Sequence, residues 1–236
     1  DEAPAITCPA DVTVNCQDDS SSASTGEATA TDNCDTEVTI TESDSVAAGT
    51  CPQEEVITRT WTGTDDCSNA SNCDQVVTVI DDEAPSITCP SDISVECAAD
   101  VQANASCLAD LTAHAVNADP STTGTATATD NCDNDPDIDF SDSVVAGTCP
   151  QEKVITRTWT ATDDCGNGSN CDQTITVTDN TAPVITCPDD TTVNCQDDSS
   201  SAATGTASAT DNCDNDVTIT ESDSVAAGTC PQEEVI

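Results

Sequence analysis

Glu152-Lys-Val-Ile-Thr-Arg-Thr-Trp-Thr-Ala-Thr-Asp-Asp-Cys-Gly-Asn167 reads as one β-strand running into a turn. Ile155, Arg157, Trp159 and Ala161 alternate with Thr156, Thr158, Thr160 and Thr162, the period of two expected of a strand with one buried face. β-Branched and aromatic residues dominate until Asp-Asp-Cys-Gly-Asn stops the run with turn formers. The same phrase stands earlier as Glu54-Glu-Val-Ile-Thr-Arg-Thr-Trp-Thr-Gly-Thr-Asp-Asp-Cys-Ser-Asn69. The two Trp of the chain occupy the same place in the two copies, beside one Phe and no Tyr. Each is expected to be the largest part of its module's core. The chain is a tandem repeat, so its function belongs to the repeat.

Outward from that strand, three modules open on one phrase: Ala3-Pro-Ala-Ile-Thr-Cys-Pro9, Ala84-Pro-Ser-Ile-Thr-Cys-Pro90 and Ala182-Pro-Val-Ile-Thr-Cys-Pro188. The starts lie 81 and then 98 residues apart, which gives a short module (1–82), a long one (83–180, with an insertion at about 98–123) and a truncated third (181–236). Residues 180–236 match residues 1–57 at 47 of 57 positions, so the true period is 179 residues, one short module plus one long. Each module reads as six or seven short strands separated by turn signals, with Ser43–Pro52 as a long connection before the Trp strand. The fold expected is all-β: tandem immunoglobulin-like β-sandwich modules, stapled by disulfides and arranged as a linear array. The acidic links Asp81-Asp-Glu83 and Asp179-Asn-Thr181 precede Ala-Pro and should be stiff.

Lys plus Arg is 3 against 46 Asp plus Glu, a formal net charge of −43. Nucleic acid and anionic membranes need basic residues, so neither is an expected partner. Seventeen cysteines point to an oxidising, extracellular or cell-surface location, where disulfides compensate for a thin core. With one His and no Cys-x-x-Cys pair, zinc and iron–sulfur sites are not expected. No apolar run is long enough to cross a bilayer, and no signal peptide is present, as in an excerpt of a longer secreted protein.

Thr-Ala-Thr-Asp-Asn-Cys, Thr-Trp-Thr-Ala-Thr-Asp-x-Cys-Gly-Asn and Ala-Pro-x-Ile-Thr-Cys-Pro together resemble the hyalin-repeat (HYR) family, in the cysteine-rich form of large Bacteroidetes-type surface proteins. The resemblance covers the chain apart from residues 98–123. It implies an immunoglobulin-like fold, a role in adhesion or extracellular scaffolding, and no catalytic residues.

Each complete module carries six aligned cysteines, which allow fifteen pairings. An extended Cys8–Cys16 segment spans roughly 25 Å, too far for a mutual bond. An immunoglobulin-like layout places Cys8, Cys73, Cys34 and Cys67 toward one end, with Cys16 and Cys51 toward the other. The expected set is Cys8–Cys73, Cys16–Cys51 and Cys34–Cys67, then Cys89–Cys171, Cys97–Cys149 and Cys132–Cys165, and Cys195–Cys230 in the third module. The rival pairs Cys67 with Cys73. Cys107 has no counterpart, and is left as a free thiol, a rearranged partner or an interchain crosslink.

No cofactor is required, but the acidic clusters make calcium the candidate ion, with Asp32, Asp35, Asp65, Asp81, Asp82, Asp130, Asp133, Asp163 and Asp179 as ligand candidates in the links and adjoining turns. The competing reading is a solvated acidic surface. Arg59 and Arg157, on the Trp face, are expected to pack beside the Trp and pair with an acidic neighbour. Asp-Ser-Val recurs with Ser45, Ser143 and Ser224, and is similar to Bacteroidetes O-glycosylation acceptors; a β-turn is the plain reading. Asn69-Ala-Ser71, Asn104-Ala-Ser106 and Asn167-Gly-Ser169 fit the N-glycosylation pattern.

Catalysis is not expected: the only His, His114, lies in the insertion, and paired carboxylates follow from composition alone. The reading favoured is a non-enzymatic extracellular structural repeat in a filament or long stalk at the cell surface, its partners being copies of itself or neighbouring repeats. The alternative is an adhesin module that recognises a glycan or protein surface, although no exposed aromatic or basic hot spot is evident. Direct membrane insertion is not expected.

Overall fold

The computed structural model describes residues 2–96, 120–147, 149, 152–194, 196–227 and 234–235. Cys97, Asn104, Cys107, His114, Cys195 and Cys230 lie outside the described residues, and with them the expected Cys195–Cys230 pair; the expected Cys97–Cys149 pair is corrected, since Cys149 is unbonded. The protein is all-β and divides into two compact units. Unit 1 is Asp1–Cys89, Ala126–Ser141 and Thr158–Asp172; unit 2 is Pro90–Thr125, Asp142–Arg157 and Gln173–Ile236. The second sequence module is thus shared between the units.

In the first module the strands are β1 (Ala5–Thr7), β2 (Val12–Asn15), β3 (Thr29–Thr31), β4 (Thr39–Ala48), β5 (Glu55–Thr64) and β6 (Ala70–Ile80), with a one-turn helix α1 (Ser22–Thr25). Pro9 has no N–H to offer a ladder, and the first strand breaks at Cys8-Pro9. Consequently β1 pairs with β3, while β2 crosses to a second sheet and runs parallel to β6 in the order β2-β6-β5-β4. The second module repeats the plan with β7 (Ser86–Thr88), β8 (Ile93–Glu96), α2 (Pro120–Thr123), β9 (Thr127–Thr129), β10 (Asp137–Ala146), β11 (Lys153–Thr162) and β12 (Gly168–Thr178). Its sheets are β7-β9 and β10-β11-β12-β8. The third contributes β13 (Val184–Thr186), α3 (Ser201–Thr204), β14 (Ser208–Thr210), β15 (Ala226–Ala227) and β16 (Glu234–Val235).

Alternation along β5 buries Ile57, Arg59, Trp61 and Gly63 and turns the threonines outward. Ile57, Val77 and Val79 form one apolar cluster with Val12, Val14 and Cys16 against it. Ile155 and Ile175 form its counterpart with Ile93, Val95, Val144 and Val177. Each second sheet has only two short strands, so a loop and its helical turn cover the rest of the large sheet, and their backbone groups need partners. Register supplies them: Asp44, Arg59 and Gln75 lie directly opposite one another across β4, β5 and β6. Arg59 donates twice to Asp44 (2.8 and 2.8 Å), to Thr25 Oγ1 (3.0 Å) and to the Ser20 carbonyl (3.1 Å). Gln75 donates to the carbonyls of Ala10 and Thr25. Arg157 repeats this on Asp142 and Thr123, with Gln173 on Ser91 and Thr123. The helical turn ends at Gly26 with φ 106°, and a Cβ there would press on Pro9, so only glycine fits this exit.

Two expectations are corrected. Ser43–Pro52 is not a long connection: β4 continues to Ala48 because β5 offers a full antiparallel ladder, and its polar composition reflects an exposed edge strand. For the same reason Asp-Ser-Val is no turn in the first two modules. Ser45 and Ser143 are exposed on β4 and β10, while the preceding Asp is the counter-ion of the buried Arg. Ser224 is exposed and outside any strand.

Removing Arg157 would strand Asp142, whose side chain is 9% exposed. Arg157→Ala should cost about 3–5 kcal/mol, the usual loss when one member of a buried ion pair is deleted. Arg59→Ala should cost less, since Asp44 is 37% exposed and can be solvated. Denaturant unfolding of the oxidised protein measures both; equal losses would contradict this account.

Candidate functional site at a module junction

At the trailing end of the first module, β2 and β6 finish side by side, and the Cys16 N–H donates to the Ile80 carbonyl (2.9 Å). The link begins at Asp81. Cys51 lies in the turn after β4, where Glu54 N–H donates to the Cys51 carbonyl. The leading turns of the second module, with Cys132 after β9 and Cys165 after β11, belong to the same unit. Cys16 is bonded to Cys132 and Cys51 to Cys165, with Cα separations of 5.9 and 5.1 Å. Both distances lie within the ordinary disulfide range. Cys8–Cys73 and Cys89–Cys171 close the individual modules, each with a Cα separation of 5.9 Å.

This corrects the expected pairings Cys16–Cys51, Cys34–Cys67 and Cys132–Cys165, and the rival Cys67–Cys73. The ends to which the cysteines were assigned are those the structure gives, but the thiols meet across the module boundary. The short link brings the next module's turns up against Cys16 and Cys51. Cys34, Cys67 and Cys149 are exposed and unbonded, as is Cys187. Cys213, the third-module counterpart of Cys132, is itself disulfide-bonded and buried.

Between these two bonds three carboxylates converge. Asp81, Asp130 and Asp163 each place an oxygen within 4.8 Å of the others. Asp81 is 5% exposed, and both of its carboxylate oxygens are buried without a hydrogen-bond partner. Its backbone is held by Asn167, which donates to the Asp81 carbonyl (3.0 Å). Asp130 Oδ1 accepts from the N–H groups of Cys132 and Asp133 (2.9 Å each), leaving Oδ2 buried and unpartnered. Asp163 accepts from the N–H groups of Cys165 and Asn167 and from the Asn167 side chain. Burial, first, and then the charge of Asp130 push the Asp81 carboxyl above the usual aspartate range.

Two of the chain's three bases, Arg59 and Arg157, are committed elsewhere. A buried carboxylate with both oxygens unpaired is costly unless a cation joins it. Hard oxygen donors spanning up to about 4.8 Å suit Ca²⁺, whose ligands sit at about 2.4 Å on either side of the ion.

The remaining candidate ligands are placed differently. Asp133 is buried, but its oxygens serve Asp135 N–H and Asp164 N–H within the turns. Asp82 accepts from the Asn15 side chain (2.8 Å). Asp32, Asp35 and Asp65 hold the equivalent turns of the first module. Asp179 groups with Glu96 and Cys213 in unit 2, where the sulfur is spent on a disulfide. Sequence reasoning missed the use of the sequon residues. The Asn69 amide donates to Asp65, and the hydroxyls of Ser71 and Ser169 donate to the carbonyls of Pro4 and Pro85.

No family model matches the chain, and no curated protein matches it in sequence. The solved structures that it matches include cadherin extracellular repeats, with TM-scores below 0.5. A structure of Drosophila N-cadherin EC1–4 superposes with a TM-score of 0.35 at 12% identity, covering 75% of this chain and 50% of that one. The protocadherin gamma B4 extracellular domain gives 0.35 at 10% identity, with 75% and 34% covered. Protocadherin gamma C5 EC1–3 gives 0.28 at 12%, with 73% and 67% covered. The chain therefore spans half the length of the first and a third of the second. Among the described residues no helix is long and apolar enough to cross a membrane.

Calcium should raise the thermal midpoint of the oxidised protein and a chelator should lower it. Asp81→Asn should abolish that response while stabilising the metal-free protein at neutral pH, because it removes a buried unpaired charge. The sign with pH follows from the raised pKa. Without metal, the contribution of Asp81 is fully present below the ordinary aspartate range and lost as pH rises through its elevated pKa. Identical midpoints in calcium and chelator would rule the site out.

Proposed function

We propose that this chain is a run of non-enzymatic, HYR-type structural repeats of an extracellular filament or long cell-surface stalk, with calcium held at its module junctions. The observation that carries the reading is the pair of disulfides, Cys16–Cys132 and Cys51–Cys165, that fasten one repeat to the next. A bond inside a module stabilises that module; two bonds across a boundary remove freedom between modules, which suits a spacer that must keep its length. Disulfides of this number belong outside the reducing cytosol. The strong net negative charge keeps such a polymer soluble and discourages lateral collapse. The adhesin alternative would want an exposed basic or aromatic anchor. Arg59 and Arg157 are 3% and 2% exposed, and Trp61 and Trp159 are 5% and 3% exposed, so these four residues do not supply it.

Peptide mapping without reduction should recover Cys16 joined to Cys132 and Cys51 joined to Cys165. Electron microscopy of native material should then show straight, thin strands with an axial period of one short-plus-long, 179-residue unit. Recovery of Cys16–Cys51 and Cys34–Cys67 inside one module would defeat the reading.

A further inference from the structure

We propose that the Cys16–Cys132 bond and the carboxylates of Asp81, Asp130 and Asp163 are thermodynamically coupled: calcium on the carboxylates makes the bond harder to reduce, and the bond makes calcium bind more tightly. This rests on the reading of those carboxylates as a calcium site, and adds that the redox state of the junction regulates it.

Three observations carry it. First, Asp81 is shared. A carboxylate oxygen of Asp81 lies within 4.8 Å of the sulfurs of both Cys16 and Cys132, and an Asp81 oxygen lies as close to an oxygen of each of Asp130 and Asp163. Asp81 is 5% exposed, and neither of its oxygens has a hydrogen-bond partner. The aspartate set against the disulfide is therefore the one whose charge most needs a cation.

Second, the bond and the carboxylates are divided between the modules in the same way. Cys16 and Asp81 come from the first module, and Cys132, Asp130 and Asp163 from the second. The Cys16 N–H donates to the Ile80 carbonyl, one residue before Asp81, and the Cys132 N–H donates to Asp130 itself (2.9 Å each). Drawing the two sulfurs together thus draws Asp81 onto Asp130 and Asp163, and parting them lets the three charges separate. Without a cation the like charges oppose closure of the bond; a divalent ion between them favours it.

Third, the chain contains its own controls. Cys8–Cys73 and Cys89–Cys171 close single modules. Among the described residues, no group of three potential metal ligands includes any of these four cysteines. Their reduction should be indifferent to calcium.

Reduction by glutathione breaks the Cys16–Cys132 bond, forms the sulfur–sulfur bond of glutathione disulfide, and passes two electrons and two protons to the protein sulfurs. By linkage, the factor by which calcium lowers this exchange constant equals the factor by which the intact bond raises calcium affinity; coupled sites typically show about 5–150-fold.

The test equilibrates the full oxidised chain in graded mixtures of reduced and oxidised glutathione, with CaCl₂ or with EDTA and NaCl at matched ionic strength. Alkylation and mass spectrometry then score each disulfide. Calcium should lower the Cys16–Cys132 exchange constant at least about tenfold, or about 30 mV for a two-electron couple, and leave Cys8–Cys73 and Cys89–Cys171 within about twofold. Asp81→Asn should abolish the shift. Competition with a calcium indicator should show that the calcium lost in Asp81→Asn binds at least about tenfold more weakly when Cys16→Ser and Cys132→Ser are combined. Equal exchange constants in CaCl₂ and EDTA, a shift shared with Cys8–Cys73 and Cys89–Cys171, or one that persists in Asp81→Asn would each overturn the proposal. If the oxidised protein binds calcium through Asp81 but the exchange constant is unmoved, only the coupling fails. If Asp81→Asn loses no calcium, the calcium-site reading fails as well.

Discussion

The bonds from Cys16 to Cys132 and from Cys51 to Cys165 set the conditions for everything else at the junction. A single bond would leave a pivot, whereas two bonds at different corners of the trailing end hold the facing turns in register. Only with the turns so held do Asp81, Asp130 and Asp163 converge tightly enough to bury carboxylate oxygens that have no hydrogen-bond partner. Covalent chemistry thus carries the electrostatic cost of the acidic cluster, and a divalent ion would reverse its sign.

Inside each module a different constraint operates. The chain has few large apolar residues, and each small sheet is too short to cover its partner. The centre of the large sheet is closed by a guanidinium instead of a hydrocarbon. Arg157, 2% exposed, is satisfied by Asp142 and Thr123, and Gln173 beside it is wholly buried and bonded to loop carbonyls. Such a polar row contributes less net free energy than an apolar one, but its directional bonds specify how the covering loop must lie.

Much of this was legible in the residues. The period-two pattern around Trp61 and Trp159 marked the central strand, and the acidic link with its adjoining turns named the aspartates that the structure brings together. The within-module pairs Cys8–Cys73 and Cys89–Cys171 were legible, but the partners of Cys16, Cys51, Cys132 and Cys165 were not, for a physical reason. In a repeat, a cysteine at one position faces the same spacing pattern within its own module and in the next, so sequence separation cannot distinguish the two. Asp-Ser-Val and Asn-x-Ser have a second, structural use that their local pattern does not show. Both resemble acceptor motifs, yet Asp44 recurs as the counter-ion of Arg59, and Ser71 as the donor to the Pro4 carbonyl. Local signatures do not announce partners 15 or 67 residues away.

The placement of the cysteines also defines a load path. Between Cys51, where the second module grips the first, and Cys34 at the opposite end of the module, the covalent chain is only 17 residues long, and most of it is the already extended strand β4. A second route runs from Cys67 to Cys73, through the bond to Cys8, and on to Cys16. Were every hydrogen bond in the module lost under tension, these two positions could separate by no more than about 60 Å, at about 3.5 Å per residue. An unbridged module of 81 residues would pay out about 280 Å on the same scale. A string of such modules would behave as a tether that hardly lengthens, whose breaking force is set by sulfur–sulfur bonds instead of by folding.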